Sequence, residues 1–399
     1  MMQPRPELDP LVTGHLFGAR LERRAFLRAV VGGAALGVLS AALAAPALAA
    51  PAPLRQAAPL LQAAGDWNAP PDPSKAQEQA ADFQTYGMPD DWANYGKSIQ
   101  AFCAKNGWSA CHRTDTDMSS NEEITKFDAE KDNPIAVMAD IGLLYGPVAE
   151  QKGVVPSYLP PSAEKLPEGW KAKTGGWVAT FTGVPGFIVN TDVIPNVPQT
   201  WDDLLKPDYK GKIGMGDPRK SGTAATSFIA WSFAHGGDEF NLVPGVEYAK
   251  QLLPNIEGVA EGNQESLEKG EIPIQIKYDF NLLAAQAKMK EKGVNTQVII
   301  PGISIYAPSA LMVNKYNVAK MDLAKMFLEW VLSDDAQLIF AEFGARPVRY
   351  VLGDLQLPDS AKAKWLPDSA YANVKTVKDW NLVSPAQVAA VWDERVLGG

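Results

Sequence analysis

From residue 89 onward the hydrophobic positions alternate between helical spacing and short continuous runs. In PDDWANYGKSIQAFCAKNGW (89–108), Trp92, Tyr95, Ile99 and Phe102 recur at intervals of three and four, which places them on one helical face. SSNEEITKFDAEKDN (119–133) opens with a serine pair followed by glutamates, a helix-start pattern. IAVMADIGLL (135–144) is a short apolar run of the kind that forms a strand buried on both faces. Beyond it the pattern predicts helices near 200–206, 221–235, 243–253, 263–269 and 279–292, with strands near 211–215, 272–276 and 296–300. Two longer stretches rich in β-branched and aromatic residues, 177–194 and 296–314, read as extended crossings, the first interrupted at Gly183-Val184-Pro185-Gly186. A single helix is expected over 321–344. Helix and strand alternating in this way predict an α/β protein with mainly parallel sheets, and two crossings suit a chain that enters a second domain and returns.

The first fifty residues change the picture. A basic start, an apolar run from about Ala29 to Ala45 and small residues around Ala47–Ala50 have the layout of a secretory signal, and Arg23-Arg24 followed by Ala25, Phe26 and Leu27 resembles a twin-arginine signal. An uncleaved membrane anchor is the alternative for this apolar run. With no cysteine near the cleavage region, a soluble periplasmic product is expected. Residues 51–81, rich in Ala, Pro and Gln, read as a flexible tether. The chain of 399 residues carries a net charge of −9, and losing residues 1–50 removes five arginines and three carboxylates, which takes it to −11. So acidic a chain is not expected to bind nucleic acid. Its two cysteines, Cys103 and Cys111, suit a disulfide in an oxidising compartment; C-x7-C-H, with His112, matches no common zinc spacing.

GDPRKSGTAATSFIAW (216–231) raises the question of a nucleotide loop. Lys220 precedes Ser221-Gly222-Thr223 instead of following a glycine, so the phosphate-loop pattern fails, and G-x-G-x-x-G is missing as well. A capped helix start remains, whose free amides suit a polar or anionic atom. Catalysis finds little support, because G-x-S-x-G does not occur and only His112 and His235 follow residue 50. His235, at an expected helix end, reads as a cap, and no cofactor is expected. A secreted hydrolase stays the less favoured alternative.

Two long motifs carry a family resemblance. TWDDLLKPDYKGKIGMGDPRKSGTAA (200–225) and NKYNVAKMDLAKMFLEWVLSDDAQLIFAEFGARPVR (314–349) resemble, in order, the second-domain entry and the return segment of solute-binding proteins that serve ATP-driven importers, in the group that includes polyamine and ferric-iron binders. The resemblance, over about 80–399, implies a two-lobed type II periplasmic-binding-protein fold: lobe 1 from 82–183 and 307–399, lobe 2 from 184–306, closing by hinge motion on a ligand held between them. It implies a monomer that works with a membrane permease; export by the twin-arginine machinery is what the Arg23-Arg24 signal implies. It points to Asp91, Trp92, Tyr95, Ser119, Ser120 and Asp140 on one lobe, and to Ser221, Gly222, Thr223, Tyr278 and Asp279 on the other. Several have a plainer reading: core for Trp92 and Tyr95, caps for the serines, a solvated strand end for Asp140. The three aspartates beside aromatic rings favour an amine or polyamine-like ligand, with a small carboxylate, phosphate or phosphonate as the alternative. Ferric iron is less attractive, because iron binders of this group use an adjacent tyrosine pair and this sequence has no Tyr-Tyr.

Overall fold

The computed structural model describes residues 65–257 and 262–398; the expected signal and residues 51–64 of the expected tether lie outside them. Its strands are β1 (Phe83–Tyr86), β2 (Arg113–Thr116), β3 (Met138–Gly142), β4 (Trp177–Gly183), β5 (Pro185–Asn190), β6 (Ile213–Gly214), β7 (Ile274–Tyr278), β8 (Thr296–Ile299), β9 (Ile305–Val313), β10 (Arg346–Pro347) and β11 (Lys375–Thr376). They form two sheets, one in the order β10-β4-β9-β3-β1-β2 with β11 also paired to β9, the other β6-β7-β5-β8. The chain changes sheet at Val184, between β4 and β5, and again between β8 and β9.

Each sheet is mixed. β1 pairs in parallel with β2 and β3, and β6 with β7, whereas β9 runs antiparallel to β3 and β4, and β5 antiparallel to β7 and β8. The antiparallel members belong to the two crossings, whose direction is fixed by having to leave one sheet and return to it. β4, β5 and β9 are buried along nearly their whole length, which is why their sequences run apolar without alternation.

Three expectations fail in informative ways. The tether reading breaks at its end, because Pro73–Ala80 is a helix capped by Asp72, which accepts from Ser74 N at 2.9 Å. Ala76 and Ala80, one turn apart, are fully buried against the helix Met321–Trp330. Gln79 Nε2 donates to Asp322 Oδ2 at 3.1 Å, and Lys325 Nζ donates to the carbonyls of Asp66 and Ala69 at 3.0 and 2.7 Å. A two-alanine face carries almost no hydrophobic signal, yet it lets two helices approach closely. The single helix expected over 321–344 is two, Met321–Trp330 and Asp334–Phe343, because Ser333 turns extended and caps the second through Ala336 N at 3.3 Å.

The third failure concerns the C-terminus, expected in lobe 1. Helix Pro385–Val391 and the turn Trp392–Leu397 pack instead on helices belonging to the second sheet. Trp392 meets Phe228 at 5.7 Å between ring centres, and Arg219 Nη1 donates to Asp393 Oδ1 at 2.9 Å. Val388, Trp392 and Val396, spaced by four, supply the apolar stripe that finds this surface. No helix among the described residues is long and apolar enough to cross a membrane.

Candidate functional site

Two helix starts face each other across a cavity of about 1090 Å³ between the sheets. The first belongs to Ser120–Ala129. Ser119 is extended, and its N–H and Oγ both donate to Glu122 Oε2, at 2.9 and 2.7 Å, so the turn is closed by its own carboxylate. Those bonds hold the Glu122 carboxyl below its ordinary pKa. Ser120 Oγ accepts from Gly142 N at 3.0 Å, which ties this helix to the end of β3.

The second start belongs to Gly222–Ala234, capped by Ser221, whose Oγ accepts from Ala224 N at 3.3 Å. The preceding turn winds on Asp217: its carbonyl accepts from Lys220 N and Ser221 N at 2.9 and 2.8 Å, and its carboxylate accepts from Arg219 N and Nε at 2.9 and 2.8 Å. The floor between the helices is narrow, since a methyl added at Gly142 would stand 4.0 Å from Gly222 Cα.

Nine of the eleven residues expected at the ligand line this cavity: Asp91, Trp92, Ser119, Ser120, Asp140, Ser221, Gly222, Thr223 and Tyr278. Tyr278 ends β7 and shares a 2.9 Å hydrogen bond with Thr226 Oγ1; burial raises its hydroxyl to about 12. Tyr95 and Asp279 stand elsewhere. Tyr95 is fully buried, packed edge-on to Phe181 and Phe340, and reaches the site only through its hydroxyl. Helix Tyr95–Lys105 begins later than its spacing suggests, because Ala93 and Asn94 adopt positive φ, and this bend turns Trp92 toward the cavity and Tyr95 toward the core.

Asp279 follows Tyr278 on the opposite side of the chain. Its Oδ1 accepts from Val184 N at 2.9 Å and its Oδ2 from Tyr371 Oη at 2.8 Å, behind the crossing. Two successive residues at the end of a strand face opposite sides, and only one of them reaches the cleft.

Asp140 is held before any ligand arrives. Trp92 Nε1 donates to its Oδ2 at 2.7 Å and Tyr95 Oη to its Oδ1 at 2.8 Å. Burial outweighs these bonds and pushes its pKa up to about 8, so near neutrality it is largely uncharged. Behind it Glu123 is fully buried with both carboxylate oxygens unpartnered, and burial above all drives its pKa well above the usual range.

The positive side of the site escaped sequence reasoning. Arg219, Lys220 and Lys277 line the cavity with Asn281. Arg219 is engaged by Asp217 and Asp393, and Lys277 Nζ donates to Gly262 O at 3.0 Å, while Lys220 is exposed. Lys220 and Lys277 each adjoin a residue that was singled out, so adjacency was the available signal. Cys103 and Cys111 are joined by a disulfide, with 6.2 Å between Cα atoms, away from this cavity. His235 caps the helix Gly222–Ala234, with Nδ1 2.7 Å from Trp231 O and Nε2 2.9 Å from Asp202 Oδ1. Among the described residues no group of three or more His, Cys, Asp or Glu side chains is placed to hold a metal ion.

Residues 144–374 match the family described as bacterial extracellular solute-binding protein. The chain is similar to an uncharacterized protein of Haemophilus influenzae, 27% identical over 240 residues, which are 55% of this chain and 64% of that one, just under two thirds of its length. It is similar to a probable ABC transporter periplasmic-binding protein of Sinorhizobium fredii, 26% identical over 278 residues, 64% of this chain and 71% of the relative. Among solved structures it resembles the periplasmic binding protein AfuA from Actinobacillus pleuropneumoniae with fructose-6-phosphate bound, at a TM-score of 0.63 and 20% identity, over 79% of this chain and 99% of that one. That likeness establishes the two-lobed α/β fold.

Proposed function

We propose, for a chain that belongs to the family of bacterial extracellular solute-binding proteins, that it captures a small organic anion between its two sheets and delivers it to the permease of an ATP-driven importer. One observation carries the anion: the N-termini of Ser120–Ala129 and Gly222–Ala234 open on the same cavity from opposite sides. Each brings first-turn amides without intrahelical acceptors and the positive end of a helix dipole. Lys220 and Lys277 add positive charge on the wall between them. A carboxylate or phosphate fits this arrangement. The fructose-6-phosphate of AfuA belongs to the same chemical class, although at 20% identity that likeness speaks for fold and not for ligand.

The amine reading loses much of its chemistry. It needs Asp91, Asp140 and Asp279 as convergent charges, but Asp279 is turned behind the crossing and Asp140 is spent on Trp92 and Tyr95. Asp91, Asp117 and Glu122 remain as exposed charges, which water and salt screen, and the Glu122 carboxylate is already engaged by Ser119. We assign lobe 1 to 82–183 and 307–384 and lobe 2 to 184–306 with the C-terminal residues, closing about the two crossings and the third strand of chain that leads to Pro385. Export follows the twin-arginine-like signal, and the exported protein acts as a soluble periplasmic monomer without catalysis.

The test is a calorimetric titration with glycerol phosphate, succinate and putrescine. Saturable binding of an anion that weakens with salt, and weakens further in Lys220→Ala, supports the reading. Binding of putrescine alone would overturn it.

A further inference from the structure

A second cavity, of about 400 Å³, lies beside Arg346 on β10, apart from the cleft. The Arg346 side chain is 3% exposed and its guanidinium packs on two rings, with Cζ 3.5 Å from the ring centre of Tyr371 and 4.4 Å from that of Trp365. Its Nε and Nη2, the two nitrogens that form a side-on fork, are buried and have no hydrogen-bond partner. The nearest carboxylate, Asp368, stands 3.7 Å from Nη2, beyond hydrogen-bond range, and is 73% exposed. An unpartnered fork in so dry a place is costly unless something takes it.

We propose that this fork binds a planar carboxylate, which displaces the Asp368 side chain and bonds Nε and Nη2 side-on. The rings packed on the guanidinium decide the shape of the ligand. A carboxylate lies in the guanidinium plane and slides past them, whereas a tetrahedral sulfate or phosphate carries oxygens out of that plane toward the rings. Tyr306 and Tyr350 line the mouth and suit a ligand whose carboxylate is carried on a ring. The site adjoins the crossing through one side chain, because Tyr371 also donates to Asp279, which bonds Val184. It is independent of what the cleft holds.

The experiment titrates the exported protein with benzoate, at constant ionic strength, while following the indole N–H resonance of Trp365, assigned by Trp365→Phe. The expected result is a saturable shift that sulfate does not reproduce, roughly tenfold weaker in Arg346→Gln and several-fold tighter in Asp368→Asn. Asp368 is exposed, so Asp368→Asn folds whether or not Arg346→Gln does and can decide the matter alone. If neither the unaltered protein nor Asp368→Asn shifts the Trp365 resonance, or benzoate binds without moving it, the proposal is overturned. Arg346 then serves only as a counter-ion for the buried Asp279.

Discussion

Asp279 and Val184 bond to each other twice. Val184 N donates to Asp279 Oδ1 and Asp279 N donates to Val184 O, both at 2.9 Å, so the start of helix Asp279–Glu291 is clasped to the residue where the chain changes sheet. Tyr371 completes the clasp from the far side. A residue that sequence reasoning places at the ligand is thus a buried fastening of the crossing.

Asp279→Ala should therefore cost stability more than affinity. Removing the carboxylate strands the Val184 N–H and the Tyr371 hydroxyl, a loss of about 2–4 kcal/mol. Urea unfolding measures it. An unchanged midpoint with weakened ligand binding would return Asp279 to the cleft.

Asp140 makes stability depend on pH. Its folded pKa, about 8, lies above the ordinary carboxyl value, so the folded protein holds a proton that the unfolded chain has released. The contribution is complete below about pH 4 and is lost as pH rises through about 8, several kcal/mol in all. Asp279, raised to about 6, acts in the same direction over a lower range. Denaturation curves from pH 4 to 9 should fall less steeply for Asp140→Asn than for the unaltered protein. An identical slope in both would show that Asp140 ionises normally.

Reduction of the disulfide should cost about 2–3 kcal/mol, because Cys103 and Cys111 close a short loop between the end of helix Tyr95–Lys105 and β2. The cavity between the sheets does not include either cysteine, so the affinity proposed for it should survive reduction. Parallel unfolding and binding measurements with and without reductant check both halves of the expectation.

Trp392→Ala should destabilise the protein by about 3–5 kcal/mol, since the indole is buried against Phe228. It should also loosen Arg219, which bonds Asp393 on the same turn. A thermal midpoint equal to that of the unaltered protein would show that the C-terminal turn is dispensable.

Gly87→Ala probes the wall behind Asp140. Gly87 has φ +60°, and a methyl there would collide with the buried Glu123 carboxyl. Strain and overlap together should cost a few kcal/mol. Pairing the change with Glu123→Ala removes the collision and should recover part of the loss, leaving the strain of the positive φ. No recovery in the double variant would mean that backbone strain alone accounts for the cost.

The alternation of helix-spaced and continuous apolar runs determined the class of fold, and the break at Gly183-Val184-Pro185-Gly186 marked the change of sheet, because period and turn chemistry are local properties of the chain. The serine caps at Ser119 and Ser221 were legible for the same reason, being set by residues within one turn. What tertiary structure decided was direction. Whether Tyr278 or Asp279 faces the cleft depends on the orientation of β7 in its sheet, and whether Trp92 or Tyr95 does depends on two residues with positive φ that no hydrophobic period reveals. The charge of the site was decided there too. Composition counts carboxylates, but burial, hydrogen bonding and the approach of two helix ends from distant parts of the chain set which of them carry charge where a ligand would lie. Ala76 and Ala80 show the same limit in the core: their contribution lies in how closely another helix can approach, a property that only their neighbours in space give them.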